Sequence, residues 1–249
     1  MRTSNKLLIG FFAMVFITPV LMGLALKKKI KAGDYYVVDD IGFNLGANRK
    51  QLAKQPQVII LRGTPGYAGC NIISSEKPAC DFSFGNEGDY TVTEKGDTLE
   101  IEFRRVNAND PETYRAKVNL YLPALPELKA DGVEVSISGS QAFNTGAWTV
   151  SLANGSSISI GDEQLKEAGG KTGTGFITVL KLSAQVNKSR ILLGEHTTVG
   201  ELHILATDTA SLQMAPSARI ENISGTIDST TTISTSGKYL LPLSKLIKQ

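Results

Sequence analysis

From about residue 130 onward the chain is a ladder of very short apolar pairs, each of the form x-apolar-x-apolar-x. The rungs are Val135/Ile137, Val150/Leu152, Ile158/Ile160, Leu180/Leu182, Ile191/Leu193, Leu202/Ile204 and Leu212/Met214. The last four start 10 or 11 residues apart, with Gly, Ser, Thr, Asn or Asp between them. A period of two puts both members of a pair on one face of a strand. Two inward residues make a short strand, and a regular succession of short strands suits a coil of stacked strands. At two rungs per coil the predicted turn is about 20 to 22 residues. An antiparallel β-sandwich also yields short strands at intervals of about 8 to 12 residues, and it is the competing architecture.

Composition supports the coil. From Ser183 to Ser236, 17 of 54 residues are Ser or Thr. Low-complexity disorder would explain those residues but not the recurring apolar pairs. In stacked coils the apolar side chains point inward, and β-branched Thr suits the exposed pleated face.

Ahead of the ladder the pattern is still β. Val58 to Leu61 is a short apolar strand closed by Gly63, Pro65 and Gly66. Tyr90 and Val92 alternate with Thr91 and Thr93, Lys95-Gly96 turns, and Leu99, Ile101 and Phe103 alternate with Glu100 and Glu102. This predicts a hairpin with one apolar and one wet face. Tyr114 to Leu122 is the next period-two strand, ended by Pro123 and Pro126. Glu163 to Ala168 is the one segment predicted to make a helical turn.

The N-terminus has a different character. Leu7 to Leu26 is twenty residues without a charge, about 30 Å as a helix, the thickness of a bilayer's hydrocarbon core. A cleavable signal peptide is the competing reading, with Arg2 and Lys6 as its charged start and Gly23-x-Ala25 as a cleavage site. Lys27, Lys28, Lys29 and Lys31 follow at once and favour an uncleaved anchor, with this basic cluster at anionic headgroups. Net charge is +2 and much of the positive charge sits beside this segment. The remainder is mildly acidic, and nucleic-acid binding has no footprint.

Cys70 and Cys80 are the two cysteines. A closely spaced pair suits a disulfide in an oxidising compartment, worth about 3 kcal/mol for such a loop. Two unpaired buried thiols are the alternative. The main domain is therefore expected outside the cytoplasm, in the periplasm, although the positive-inside rule applied to the four Lys pulls the other way.

The order anchor, KG-turn hairpin, VNLYLPALPELKADG (Val118 to Gly132) and Ser/Thr-rich rungs resembles the head GIN domain family, also grouped as DUF2807. These are bacterial proteins carrying an inferred auto-transporter adhesin label. The strand, the prolines, the following Leu and the Gly are similar to that family's P-x-L-x-x-L-x-x-x-G entry to its coil, over roughly residues 58 to 240. The resemblance implies an all-β, right-handed, single-stranded β-helix-like solenoid in a cell-envelope protein, with no catalytic residues to carry over. The GGKTGTG insertion and the absence of G-S-G punctuation depart from the pattern. The expected domains are an anchor at 1–32, a juxtamembrane connector at 33–57, a β-coil domain at 58–240 and a tail at 241–249. Within the coil domain, 58–128 is the hairpin-bearing entry and 129–240 holds the rungs.

Chemistry is sparse. Gly169-Gly170-Lys171-Thr172 resembles the end of a phosphate loop, but Leu165 stands where that loop needs Gly. His196 and His203 are the two histidines, and their spacing in a coil does not suit a shared metal. Asn154-Gly-Ser, Asn187-Lys-Ser and Asn222-Ile-Ser match glycosylation sequons. No catalytic, cofactor or metal residues are assigned. The expected function is a non-enzymatic, membrane-anchored envelope protein presenting a structural or adhesive surface to a protein or glycan. A ligand-binding or sensory module coupled to another membrane protein is the alternative. A glycan-acting enzyme is the remote one, with Glu195, Glu201 and Asp208 as its candidate acids.

Overall fold

The computed structural model describes residues 37–38, 44–45, 49–84, 89–104, 116–138, 143–161, 165–166, 172–173 and 176–248. The chain divides into two units, Met1–Ala47 and Asn48–Gln249. In the first, β1 (Val37–Val38) pairs antiparallel with β2 (Asn44–Leu45). The predicted anchor, Leu7 to Leu26, and its lysine cluster lie outside the described residues. Among the described residues no helix is long and apolar enough to cross a membrane.

The second unit is nearly all β, built as two sheets. Sheet I has the spatial order β20, β18, β16, β12, β10, β4, β8, β7. In chain order its members are β4 (Val58–Arg62), β7 (Tyr90–Lys95), β8 (Thr98–Phe103), β10 (Glu127–Asp131), β12 (Phe143–Ala153), β16 (Ile177–Asn187), β18 (Thr197–Thr207) and β20 (Arg219–Ile227). Sheet II has the order β21, β19, β17, β13, β11, β5, β9, β6, β3. Its members are β3 (Arg49–Gln51), β5 (Ala68–Ser74), β6 (Ala79–Phe84), β9 (Ala116–Leu122), β11 (Val133–Ser138), β13 (Ser157–Ile160), β17 (Arg190–Leu193), β19 (Ser211–Met214) and β21 (Thr232–Ser234). From β8 onward the strands of these two sheets alternate between them, and each pairs in parallel with its neighbours along the stack. Antiparallel β7, β6 and β3 close one end.

The pairing register has the predicted spacing in the last strands of both sheets. Leu182 pairs with Leu202 and Leu202 with Ile223, while Ile191 pairs with Leu212 and Leu212 with Ile233. Inward side chains therefore stack on their counterparts one coil away. Val118, Cys70, Val135, Ile158, Ile191 and Leu212 form one such column, all but fully buried. Burying an aliphatic side chain of this size stabilises by about 1.5–3 kcal/mol, so the columns are the principal source of cohesion.

Several expectations change. Leu180 is not an inward rung member: it is 66% exposed, and the inward alternation of β16 moves by one residue between Val179 and Leu182. Val179 and Lys181 pair with Val199 and Glu201, and Leu180 and Gly200 are passed over together without a change of register. The same gap recurs between Thr145 and Ala147 and between Ile220 and Asn222, so it is stacked through four strands. The parallel stack also begins earlier than residue 129, since β4–β5 and β8–β9 are already coils of it. Leu165–Lys166, within the predicted helical turn, is instead β14, paired antiparallel with β15 (Thr172–Gly173). The connector's Arg49–Gln51 joins sheet II, and the expected tail caps the stack. There α1 (Gly237–Ser244) buries Tyr239 and Leu243, and Ile227 bridges to Ile247.

One turn is set by glycine. Gly132, between β10 and β11, has φ of 68°, and a Cβ there would lie 2.3 Å from the Gly63 carbonyl oxygen. Only glycine fits that left-handed, crowded corner. The crossing from β9 to β10 is pinned from both sides. Trp148 Nε1 donates to the Pro126 oxygen at 2.7 Å, and Gln55 Nε2 to the Ala124 oxygen at 2.9 Å.

Candidate functional site

Period two leaves every second side chain of sheet I facing outward, and parallel register lines these side chains up across the stack. One row runs Ile60, Lys129, Ser151, Gln185, Leu205 through five strands. At the strand spacing of about 4.8 Å it is about 19 Å long. A second row, two residues nearer the strand ends, begins Arg62, Asp131, Ala153 and continues with Asn187 and Thr207. Between these rows lies a groove of about 560 Å³.

The charged groups of this groove are matched within the chain. Arg62 Nη1 lies 2.8 Å from Glu100 Oε1, and Lys129 Nζ 3.0 Å from Glu127 Oε1. Asn154 Nδ2 donates to Asp131 Oδ1 at 2.8 Å. Asn187 Nδ2 donates to Thr207 Oγ1 at 2.9 Å and to Asp208 Oδ2 at 2.7 Å. These exposed pairs add little stability, but they fix the edge of the groove as a polar ladder. Ser151 and Gln185 in its middle have no side-chain hydrogen bond among the described residues.

Two of the sequons belong to this ladder. Asn154-Gly155-Ser156 and Asn187-Lys188-Ser189 are the corners that follow β12 and β16. Asn154, at φ 53°, and Lys188, at φ 47°, are left-handed there. The Asn side chains face out along the edge, while Ser156 and Ser189 turn in and bond the Ala153 and Asn187 carbonyls at 2.7 Å. The N-x-S pattern is therefore a corner device of the fold.

The cysteines are free and buried. Cys70 pairs with Val118 of β9 and Cys80 with Leu120 of the same strand, from opposite sides. With β9 between them their Cα atoms stand two strand spacings apart, about 10 Å, beyond the roughly 7 Å a disulfide can bridge. The expected disulfide is corrected to two separate thiols. Burial pushes Cys70 up to about 12 and Cys80 up to about 11, which keeps both protonated and unreactive at neutral pH.

The candidate acids do not converge. Glu195 precedes β18, Glu201 lies within it and Asp208 follows it. They are spread along the length of β18, six and seven residues apart in sequence, and do not face one another across the stack as a glycosidase carboxylate pair would. Glu201 instead sits 3.9 Å from Lys181. His196 packs edge-on to Phe176, while His203 Nδ1 and Ser224 Oγ share a hydrogen bond of 3.1 Å. Among the described residues no three His, Cys, Asp or Glu gather at metal-holding distances. Thr172 of the phosphate-loop-like segment is in the β14–β15 pair and does not open a helix.

Sequence reasoning missed the groove because its rows join residues 20 to 69 positions apart. A local signal did exist: Ile60 and Leu205 are outward apolar residues that interrupt otherwise clean alternation.

No family model matches the chain, and no curated protein matches it. Solved structures do. A candidate adhesin from Parabacteroides merdae is similar over 77% of this chain and 80% of its own, at 13% identity and a TM-score of 0.50. A second, from Parabacteroides distasonis, is similar over 78% and 82%, at 11% identity and a TM-score of 0.47. At such identities the first likeness is one of fold.

Proposed function

We propose that the chain is a non-enzymatic, membrane-anchored cell-envelope protein whose β-domain is a right-handed β-helix-like solenoid of the head GIN type. The outer face of sheet I, centred on the groove, is its interaction surface. Leu7 to Leu26 is the anchor, Lys27 to Lys31 sit at the lipid headgroups, and the solenoid lies on the extracytoplasmic side.

The observation that carries this reading is the in-register row from Ile60 to Leu205 beside a groove of about 560 Å³. A stack of coils repeats outward side chains at fixed spacing on a stiff scaffold, and many weak polar contacts can then add along one face. Polar and half-apolar side chains held in such a row suit adhesion better than turnover. The likeness in fold to a candidate adhesin from Parabacteroides merdae agrees with it.

The test uses the full chain displayed by its own anchor on vesicles or cells. Displaying particles are expected to bind surfaces coated with glycan or protein, and Gln185→Leu with Ser151→Ala is expected to reduce that binding. Binding that survives both substitutions unchanged would place the surface elsewhere. A reporter fused after Gln249 that is active only in the cytoplasm would overturn the orientation.

A further inference from the structure

We infer that the sheet I groove takes a linear, uncharged oligosaccharide lying along the stack axis. The inference rests on the adhesive reading above and narrows it to one ligand chemistry.

Charge comes first. Arg62, Lys129 and Asp131 are the groove's ionic groups, and each is already engaged within the chain, by Glu100, Glu127 and Asn154 respectively. An anionic ligand meets Asp131 and a cationic one meets Arg62 and Lys129; Asp131 is hydrogen-bonded by Asn154 and not ion-paired, so the groove carries both signs and is built for neither. A neutral ligand disturbs none of these pairs.

The remaining groups are the Ser151 hydroxyl and the Gln185 carboxamide, adjacent in register and about 4.8 Å apart. Both donate and accept hydrogen bonds, as the hydroxyls of a sugar do. Their spacing is close to the length of one hexopyranose ring, so successive rings meet successive strands. An extended peptide repeats at about 3.3 Å per residue and falls out of step with the rows. It cannot add by strand pairing either, because the central strands of sheet I are paired on both sides.

Leu205 stands beside Gln185, and Ile60 ends the row on the far side of Lys129. Each offers an apolar surface to the C–H face of a ring while the hydroxyls turn to Ser151 and Gln185. The volume of about 560 Å³ falls within the roughly 300–1,000 Å³ of small-ligand sites.

The experiment titrates the full chain in detergent micelles with cellotetraose, maltotetraose and chitotetraose, against tetragalacturonate and an uncharged tetrapeptide. At least one neutral tetrasaccharide is expected to bind, more tightly than the anionic sugar and the peptide. Gln185→Leu is expected to weaken it tenfold or more and Ser151→Ala severalfold. Gln213→Leu, on the outer face of sheet II, is expected to leave it unchanged. Unaltered melting of each variant ensures that loss of binding is loss of contact. Preference for the anionic sugar or the peptide, equal binding by the Gln185 and Gln213 variants, or no neutral binding at all would each overturn the inference. If displaying particles still adhere while every neutral sugar fails, the adhesive reading stands and this one falls. If adhesion fails as well, both fall.

Discussion

The coil made by β4 and β5 and the coil made by β20 and β21 use the same inward aliphatic pattern but hold opposite places in the stack. β4–β5 comes first in the chain, yet β8–β9 lies on one side of it and β10–β11 on the other. β20–β21 is last in both chain and space, with a coil on one side only. The central coil gains its burial from strands supplied 40 to 69 residues later, whereas the terminal coil rests on its immediate predecessor. Ile59, Leu61 and Ile72 are accordingly sealed, while Ile223 and Ile233 remain partly buried. Position in the stack, more than residue type, sets what a side chain contributes.

The largest effect that would expose this difference is truncation inside the central coil. Ile72 is fully buried between Leu120 and Ile137, and Ile72→Ala is expected to destabilise by about 3–4 kcal/mol in chemical denaturation. The matching change at Ile233, with Leu212 on one side only, is expected to lose about 1 kcal/mol or less. Equal losses at the two positions would break the comparison.

Next comes the backbone of the terminal coil. Gly225 has φ of 124°, and a Cβ there would lie 1.9 Å from the Ile204 carbonyl oxygen. Gly225→Ala is expected to destabilise by about 2–3 kcal/mol through strain and lost pairing to β18. Amide exchange should quicken in β20 and stay unchanged in β4 and β10. A uniform change across the stack would mean that the two ends are one cooperative unit.

The cap over β20 gives a smaller effect. Tyr239 Oη donates to the Ala218 oxygen at 2.6 Å and accepts from the Ile220 amide at 3.0 Å. It satisfies an edge strand that has no further coil beside it. Tyr239→Phe leaves the Ile220 amide without its partner, while the Ala218 oxygen keeps Lys238 Nζ at 3.0 Å, and is expected to lose about 1–2 kcal/mol, again read as faster exchange at Ile220 alone.

Legibility in the sequence follows the same division. Where strands are laid down in order, as in β16 to β19, the rung pairs and the 20- to 21-residue register were readable, because neighbours in space are one period apart in sequence. Around β4 they were not, because the crossing at Pro123–Pro126 carries β10 past β4 and only the fold reveals which strand it meets. The hairpin at Lys95-Gly96 was legible through its turn and alternation. Leu180 misled because the inward alternation shifts by one at the same place in stacked strands, and only the glycines at 146 and 200 hint at it. The capping helix was missed because Gly237 and Pro242 weaken its pattern. The groove's ends were written as broken alternation, but its middle, Ser151 and Gln185, is indistinguishable locally from any solvated strand face.

The smallest expected effect concerns the thiols, which belong to the central coil and its flank. Because Cys70 and Cys80 are separated by β9, adding a reductant should leave Tm unchanged at neutral pH, whereas a disulfide would make it fall. Native protein should resist iodoacetamide at both sites until it unfolds, since burial raises the pKa of Cys70 to about 12 and of Cys80 to about 11, from 9.0 for each. The pH dependence has a definite sign. Above pH 9 the unfolded chain releases these two protons while the folded chain keeps them, so the unfolded state binds fewer protons and stability falls as pH rises. The loss should begin near pH 9 and level off once the folded thiols ionise near pH 11 to 12. Replacing Cys70 by Val, similar in volume and apolar like its stacked partners Val118 and Val135, should reduce that alkaline slope to the part Cys80 contributes, while changing neutral-pH stability by about 1 kcal/mol or less. A slope unchanged in Cys70→Val would assign the alkaline loss to groups outside the central coil.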